Sequence, residues 1–189
     1  MSGNIKIRPA SVADTESLLA IYTPYVMETA VTFDYTVPSA AAFAAKMRKI
    51  TEKYPFFVAE EDGQIVGYAY ASAFKDRAAY NWTVETTIYL SQKSRGKGIG
   101  RTLYLALEDA LKRQNVLNLN ACIAVTTTED AYLTNASVYF HEKLGYRKVA
   151  HFSACGFKFG RWYDMIWMEK LLGAHTNAPT QFVPFPQVQ

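Results

Sequence analysis

Two spacings of apolar side chains divide this chain. Alternation over residues 5–8, 82–90 and 117–125 predicts strands, each half-buried on one face. Residues 56–60 and 65–74 flank Glu61-Asp62-Gly63-Gln64 and predict an antiparallel hairpin. Residues 146–152 and 162–170 predict a last pair of strands, joined through residues 155–160. Helical spacing appears four times. The first stripe, Leu18, Leu19 and Tyr22, follows a capping-box-like Ser11-Val12-Ala13-Asp14, and a kink or break is expected at Pro24. The second starts near Pro38 and carries Phe43, Met47 and Ile50. The third carries Leu103, Leu107, Ala110 and Leu111; the fourth carries Leu133, Ala136, Phe140 and Leu144, stopped by Gly145. Residues 29–35 and 75–80 read as connections. Residues 173–189 hold Pro179, Pro184 and Pro186 with no helical period, and are expected to form an extended tail, frayed or packed on a neighbour. No repeat or linker divides the rest, so the expectation is one α/β domain over residues 1–172, a mixed, mostly antiparallel sheet flanked by helices, followed by a tail over 173–189.

Between the strand at 82–90 and the third helix lies Ser91-Gln92-Lys93-Ser94-Arg95-Gly96-Lys97-Gly98-Ile99-Gly100-Arg101. Alternating glycines let a backbone turn sharply and come close to a ligand. A loop of free amides entering a helix N-terminus is a ready anion site, and Lys93, Arg95, Lys97 and Arg101 add positive charge. The spacing is neither Gly-x4-Gly-Lys-Ser/Thr nor Gly-x-Gly-x-x-Gly, which removes the P-loop and the dinucleotide fingerprint. A pyrophosphate cradle remains, set against the plainer reading of a Gly-rich turn with a solvated basic face. Its position at the C-terminal end of a strand is where an open α/β sheet places its ligand crevice.

Composition narrows the picture further. The chain has 189 residues, 50% hydrophobic and 20% charged, a globular balance with enough length for one core. A net charge of +3 with no dense basic face gives no reason to expect nucleic acid. Neither an apolar leader nor a membrane-length apolar run is present, so a cytoplasmic protein without membrane contact is expected. Cys122 and Cys155 read as free thiols, and His141, His151 and His175 lack metal-ligand spacing, so no metal is expected.

The element order, with Arg95-Gly96-Lys97-Gly98-Ile99-Gly100 of the form Arg/Gln-x-x-Gly-x-Gly/Ala, resembles the GNAT superfamily of N-acetyltransferases over roughly residues 4–172. Residues 75–90 (KDRAAYNWTVETTIYL), 140–146 (FHEKLGY) and 156–164 (GFKFGRWYD) are together similar to its phosphinothricin acetyltransferase branch, which includes methionine sulfone and methionine sulfoximine acetyltransferases. The resemblance implies acetyl-CoA as co-substrate and direct transfer to the α-amine of a small amino-acid-like acceptor. It places the pyrophosphate on Arg95, Gly96, Lys97, Gly98, Ile99, Gly100 and Arg101, and the pantetheine arm and oxyanion beside the main chain of Ile88, Tyr89 and Leu90. It implies an acceptor pocket at Phe33, Lys75, Arg77, Tyr80 and Glu85, and it allows a homodimer. Family members carry Asn-x-x-Ser ahead of the fourth helix; here Thr134 stands three residues before Ser137 and Asn135 two, so the cofactor contact expected of Asn135 falls on a shifted position.

Acetyl transfer needs a neutral amine, so a base must take a proton. Glu85, mid-strand, is the candidate, directly or through a water; a solvated carboxylate or one paired with Arg77 is the plainer reading. His141 lies off the apolar stripe of its helix, and the resemblance leaves it as general acid for the thiolate or as base, beside a buried structural role. Lys75 and Arg77 suit an anionic acceptor. A polyamine, an aminoglycoside or a protein N-terminus is the alternative acceptor, and a non-catalytic acyl-CoA-binding module the alternative class.

Overall fold

The structure is a computed structural model that describes residues 4–188. Strand β1 (Ile5–Pro9) leads into α1 (Thr15–Glu28) and α2 (Ala40–Thr51). The antiparallel run β2 (Phe56–Glu61), β3 (Gln64–Ala73) and β4 (Thr83–Leu90) follows, then α3 (Ile99–Arg113), β5 (Asn118–Val125), α4 (Ala136–Lys143), β6 (Arg147–Lys158) and β7 (Arg161–Leu171). They form one sheet in the order β1-β2-β3-β4-β5-β7-β6, antiparallel everywhere except between β4 and β5.

Alternation on β4 sorts the two faces. Tyr89 meets the rings of Tyr22 and Tyr25 on α1, while Phe43 on α2 meets Tyr68, the β3 partner of Tyr89. Glu85, two pleats along from Tyr89, therefore faces the α1–α2 side. Thr86 points the other way, 3.3 Å from the Tyr104 hydroxyl of α3. Both faces of β2 to β5 are apolar, so the middle of the sheet is buried between the helix pairs, with Leu18, Val58, Val84, Leu103, Leu107 and Leu119 all at 0% exposure, while the edge strand β6 is mostly exposed. Ahead of α1, Asp14 accepts the Ser11 amide at 2.7 Å and two bonds from Arg8 at 2.8 Å. The Arg8 guanidinium holds the Asp14 carboxyl below its usual value.

Four local expectations change. Pro24 lies inside α1 without ending it, because Tyr25 and Val26 beyond it are buried at 5% and 1% exposure, which offsets a proline cost of roughly 3 kcal/mol. The second helix starts after Ser39, whose hydroxyl caps the Ala42 amide, so Pro38 precedes the cap and is not in the first turn. Strand β6 runs on through Cys155, Gly156, Phe157 and Lys158 across a bulge between Phe152 and Gly156, leaving only Phe159 and Gly160 as the turn. Leu133 lies ahead of α4, since the Asp130 carboxylate takes the Tyr132 and Leu133 amides and holds that stretch as a loop.

The tail is extended, but it packs on its own chain. Phe185 is 4% exposed against the ring of Phe57, and Phe182 meets Tyr54. Its backbone is taken at four points: Trp82 Nε1 donates to Thr180 O, Asn115 to Gln181 O, Gln114 to Val183 O, and the Phe185 amide to Lys53 O.

Candidate active site

Strands β4 and β5 pair only at Thr83 with Asn118, Val84 with Leu119 and Glu85 with Asn120. Beyond that they part, and the split opens into a cavity of about 670 Å³. Residues 85–90 line it from β4, Ala121 to Ala124 from β5, Arg95 and Gly96 at the Gly loop, and Val31, Thr32 and Phe33 from the segment between α1 and α2. Tyr104 and His141 close it on the α3–α4 side.

Glu85 stands where the strands part. Its carboxylate has no hydrogen-bond or ion-pair partner among the described residues, and burial raises its pKa against the pull of the Lys75 and Lys46 ammonium groups. The salt bridges of the described residues include none to Arg77, so the paired-carboxylate reading is not what the fold makes.

His141 is 3% exposed. Its Nδ1 lies 2.7 Å from the Ser137 carbonyl oxygen, which can only accept, so the ring proton sits on Nδ1 and Nε2 accepts from the Tyr104 hydroxyl at 2.9 Å. Burial lowers its pKa to about 4, and the imidazole is neutral near pH 7. Tyr104 was hidden in sequence by the aliphatic stripe around it. Tyr25 also lines the cavity; its hydroxyl donates to Leu90 O at 2.6 Å, receives the Leu90 amide at 3.3 Å, and its ring lies under the Arg95 guanidinium. No sequence signal distinguishes either from an ordinary core tyrosine.

At the Gly loop, Gly96 and Gly98 take φ of 76° and 83°, the left-handed region that the alternating glycines permit. Gly98 is the N-cap of α3, and Thr102 opens the helix ladder by donating to Gly98 O, so the amides just before it have no carbonyl beneath them. These free amides of Ile99, Gly100 and Arg101 suit a pyrophosphate. Lys97 is drawn toward the Glu61 carboxylate at 3.0 Å, whereas Arg95 lines the cavity beside these amides. A Cβ on Gly100 would stand 3.1 Å from the Phe140 ring and 3.3 Å from Leu90, so this glycine also lets α3 seat against β4 and α4.

Several expected site residues stand elsewhere. Lys75, Arg77 and Tyr80 are exposed on the connection ahead of β4 and do not line the cavity, although Lys75 is near enough to act on Glu85. The Asn135 side chain is spent on both backbone groups of Thr126, at 3.0 and 3.2 Å, closing the loop between β5 and α4, and does not line the cavity. Phe33, Glu85, Ile88, Tyr89, Leu90, Arg95, Gly96 and His141 do come together around it. Cys122 and Cys155 are free and both line it; burial and the Glu85 carboxylate push the Cys122 thiol up to about 11, so it stays a thiol at neutral pH. Among the described residues there is no cluster of three or more His, Cys, Asp or Glu placed to hold a metal, and no helix is long and apolar enough to cross a membrane.

Residues 7–167 match the model of the acetyltransferase (GNAT) domain. The chain is 33% identical over 161 residues to the phosphinothricin N-acetyltransferase of Streptomyces viridochromogenes, covering 85% of this chain and 84% of that one. It is 32% identical over 170 residues to the L-methionine sulfoximine/L-methionine sulfone acetyltransferase of Salmonella typhimurium, covering 89% and 95%. Among solved structures it is similar to a phosphinothricin acetyltransferase from Sinorhizobium meliloti in complex with AcCoA, with a TM-score of 0.85, 37% identity and 93% of each chain covered. A split sheet with a Gly loop at its open end, matched over this length, makes the chain a member of the GNAT family of acetyltransferases.

Proposed function

We propose that this enzyme moves the acetyl group of acetyl-CoA to the α-amine of a small, anionic amino-acid-like acceptor, of the phosphinothricin or methionine sulfone and sulfoximine type, by direct transfer. The observation that carries the reading is Glu85: an unpaired carboxylate of raised pKa at the point where β4 and β5 separate, facing the cavity. The free amides at the start of α3 suit the pyrophosphate, and acetyl-CoA supplies the activated acetyl group.

The protein's part is then to hold and move protons. An α-ammonium gives one proton to Glu85, directly or through a water, and the neutral nitrogen attacks the thioester carbon. Collapse breaks the carbon–sulfur bond, and the second nitrogen proton goes to the thiolate, so the net yield is an amide, a free thiol and one proton. Neutral His141 has its single N–H on Ser137 O and thus no proton to give; it fixes the hydroxyl of Tyr104 in the cavity wall. Lys46 and Lys75, both acting on Glu85, favour an anionic acceptor over a polyamine or aminoglycoside. Thiol release from acetyl-CoA against phosphinothricin, methionine sulfone, methionine sulfoximine, ordinary amino acids and a polyamine tests the proposal. Turnover with the anionic amino acids is expected; no turnover with any amine, or preference for the polyamine, overturns it.

A further inference from the structure

Lys158 closes β6 at 3% exposure. Its ammonium donates to Thr29 O and Thr32 O, both at 2.8 Å, and bonds to no carboxylate among the described residues. Both carbonyls belong to the irregular segment between α1 and α2 whose Val31, Thr32 and Phe33 wall the cavity. A buried ammonium is costly, and desolvation lowers this one's pKa while the Asp34 carboxylate acts the other way. An apolar side chain would fill the same volume without that cost, so what the lysine adds is its bonds to the segment.

The same hairpin meets the segment twice more. The Tyr35 hydroxyl donates to Phe157 O, and the Phe33 ring lies on Gly156, where a Cβ would stand 2.2 Å from ring carbon. Glu85 and this segment lie on the α1–α2 side of the sheet, whereas the Gly loop stands at the C-terminal end of the split. The segment therefore borders the acceptor end of the cavity.

We propose that Lys158 is a positioning residue for the acceptor: its ammonium clamps residues 29–35 to the β6–β7 hairpin and thereby fixes Phe33 in the cavity wall. This rests on the acetyltransferase reading above for its kinetic consequence, but not for the clamp itself. The test uses the full chain with Lys158→Met, which keeps the stem and removes the charge. The apparent KM for the acceptor is expected to rise about tenfold, in line with the sensitivity of such reactions to small displacements, while that for acetyl-CoA stays within about twofold. Amide hydrogen exchange of residues 29–35 should quicken while α1 stays protected. An equal rise in both KM values, or unchanged exchange, overturns the proposal. If Lys158→Met does not fold, Tyr35→Phe removes the neighbouring tether from a ring that is 65% exposed; the same split, about threefold, supports the clamp and its absence overturns it. If the unmodified enzyme turns over no acceptor, the function fails on its own, and the exchange result still decides the clamp.

Discussion

Glu85 and His141 carry the same lesson about burial in opposite directions. Burial disfavours whichever form is charged, so it raises the carboxyl of Glu85 and lowers the imidazole of His141 to about 4. In the proposed role of base the raised value sets the acid limit: a base works only when ionised, so kcat/KM is expected to fall with pH at a point above the ordinary carboxylate value of 4.5. Glu85→Gln should lower kcat by about 10²- to 10³-fold, abolish that limb and leave acetyl-CoA binding intact. A variant with unchanged rate across the pH range removes Glu85 from the role. For stability, the unfolded imidazole binds a proton below about pH 6.5 that the folded one refuses until about 4. Neutral burial of His141 is therefore fully compatible with folding above pH 6.5 and costs roughly 3 kcal/mol by the time pH has fallen to 4. Urea unfolding at pH 7 and pH 4.5 should show this loss in the unmodified chain and a smaller one in His141→Gln; equal losses contradict it.

Among the elements, the start of α3 is the most sensitive to backbone shape. No atom lies within 4 Å of a Cβ built on Gly98, so Gly98→Ala meets no clash and tests the left-handed φ of 83° alone. A strain of roughly 1–2 kcal/mol should swing the open amides away, raising the KM for acetyl-CoA severalfold and leaving the acceptor's unchanged. Steady-state kinetics with each substrate varied in turn reads the difference. This element was legible in sequence because glycine spacing is a local signal, as was the alternation that put Glu85 mid-strand. The acceptor side was not. Lys75 and Arg77 have the right chemistry, but whether such side chains reach a cavity depends on how a connection leaves the sheet, which no local pattern states. The end of β6 is hard to see in sequence for a related reason: Gly156 reads as a loop residue, whereas it is a pleat made bare to seat Phe33, a residue over a hundred positions away.

Across the whole molecule the tail is part of the core. Phe185→Ala removes a ring at 4% exposure and should cost about 3–5 kcal/mol, the range for buried phenylalanines. That lowers Tm by roughly 10 °C for a chain of this size, measurable by calorimetry; an unchanged Tm shows the tail to be loosely held. The tail's composition hid this, because scattered prolines say that a segment is extended without saying what it lies on.

The three residue pairs that join β4 to β5 have a mechanical meaning. They make a fulcrum between two blocks of sheet, β1 to β4 on one side and β5 to β7 on the other, and the tail is strapped across that same closed end through Trp82, Gln114 and Asn115. From Glu85 to Leu90 the arm is roughly 16 Å long, so a turn of ~5° at the fulcrum moves its tip by about 1.4 Å. Displacements of that order are enough to cost about a hundredfold in rate. Trp82 does not line the cavity, yet its carbonyl takes the Leu117 and Asn118 amides beside the first of those pairs, so it stands at the pivot from which the jaws gape.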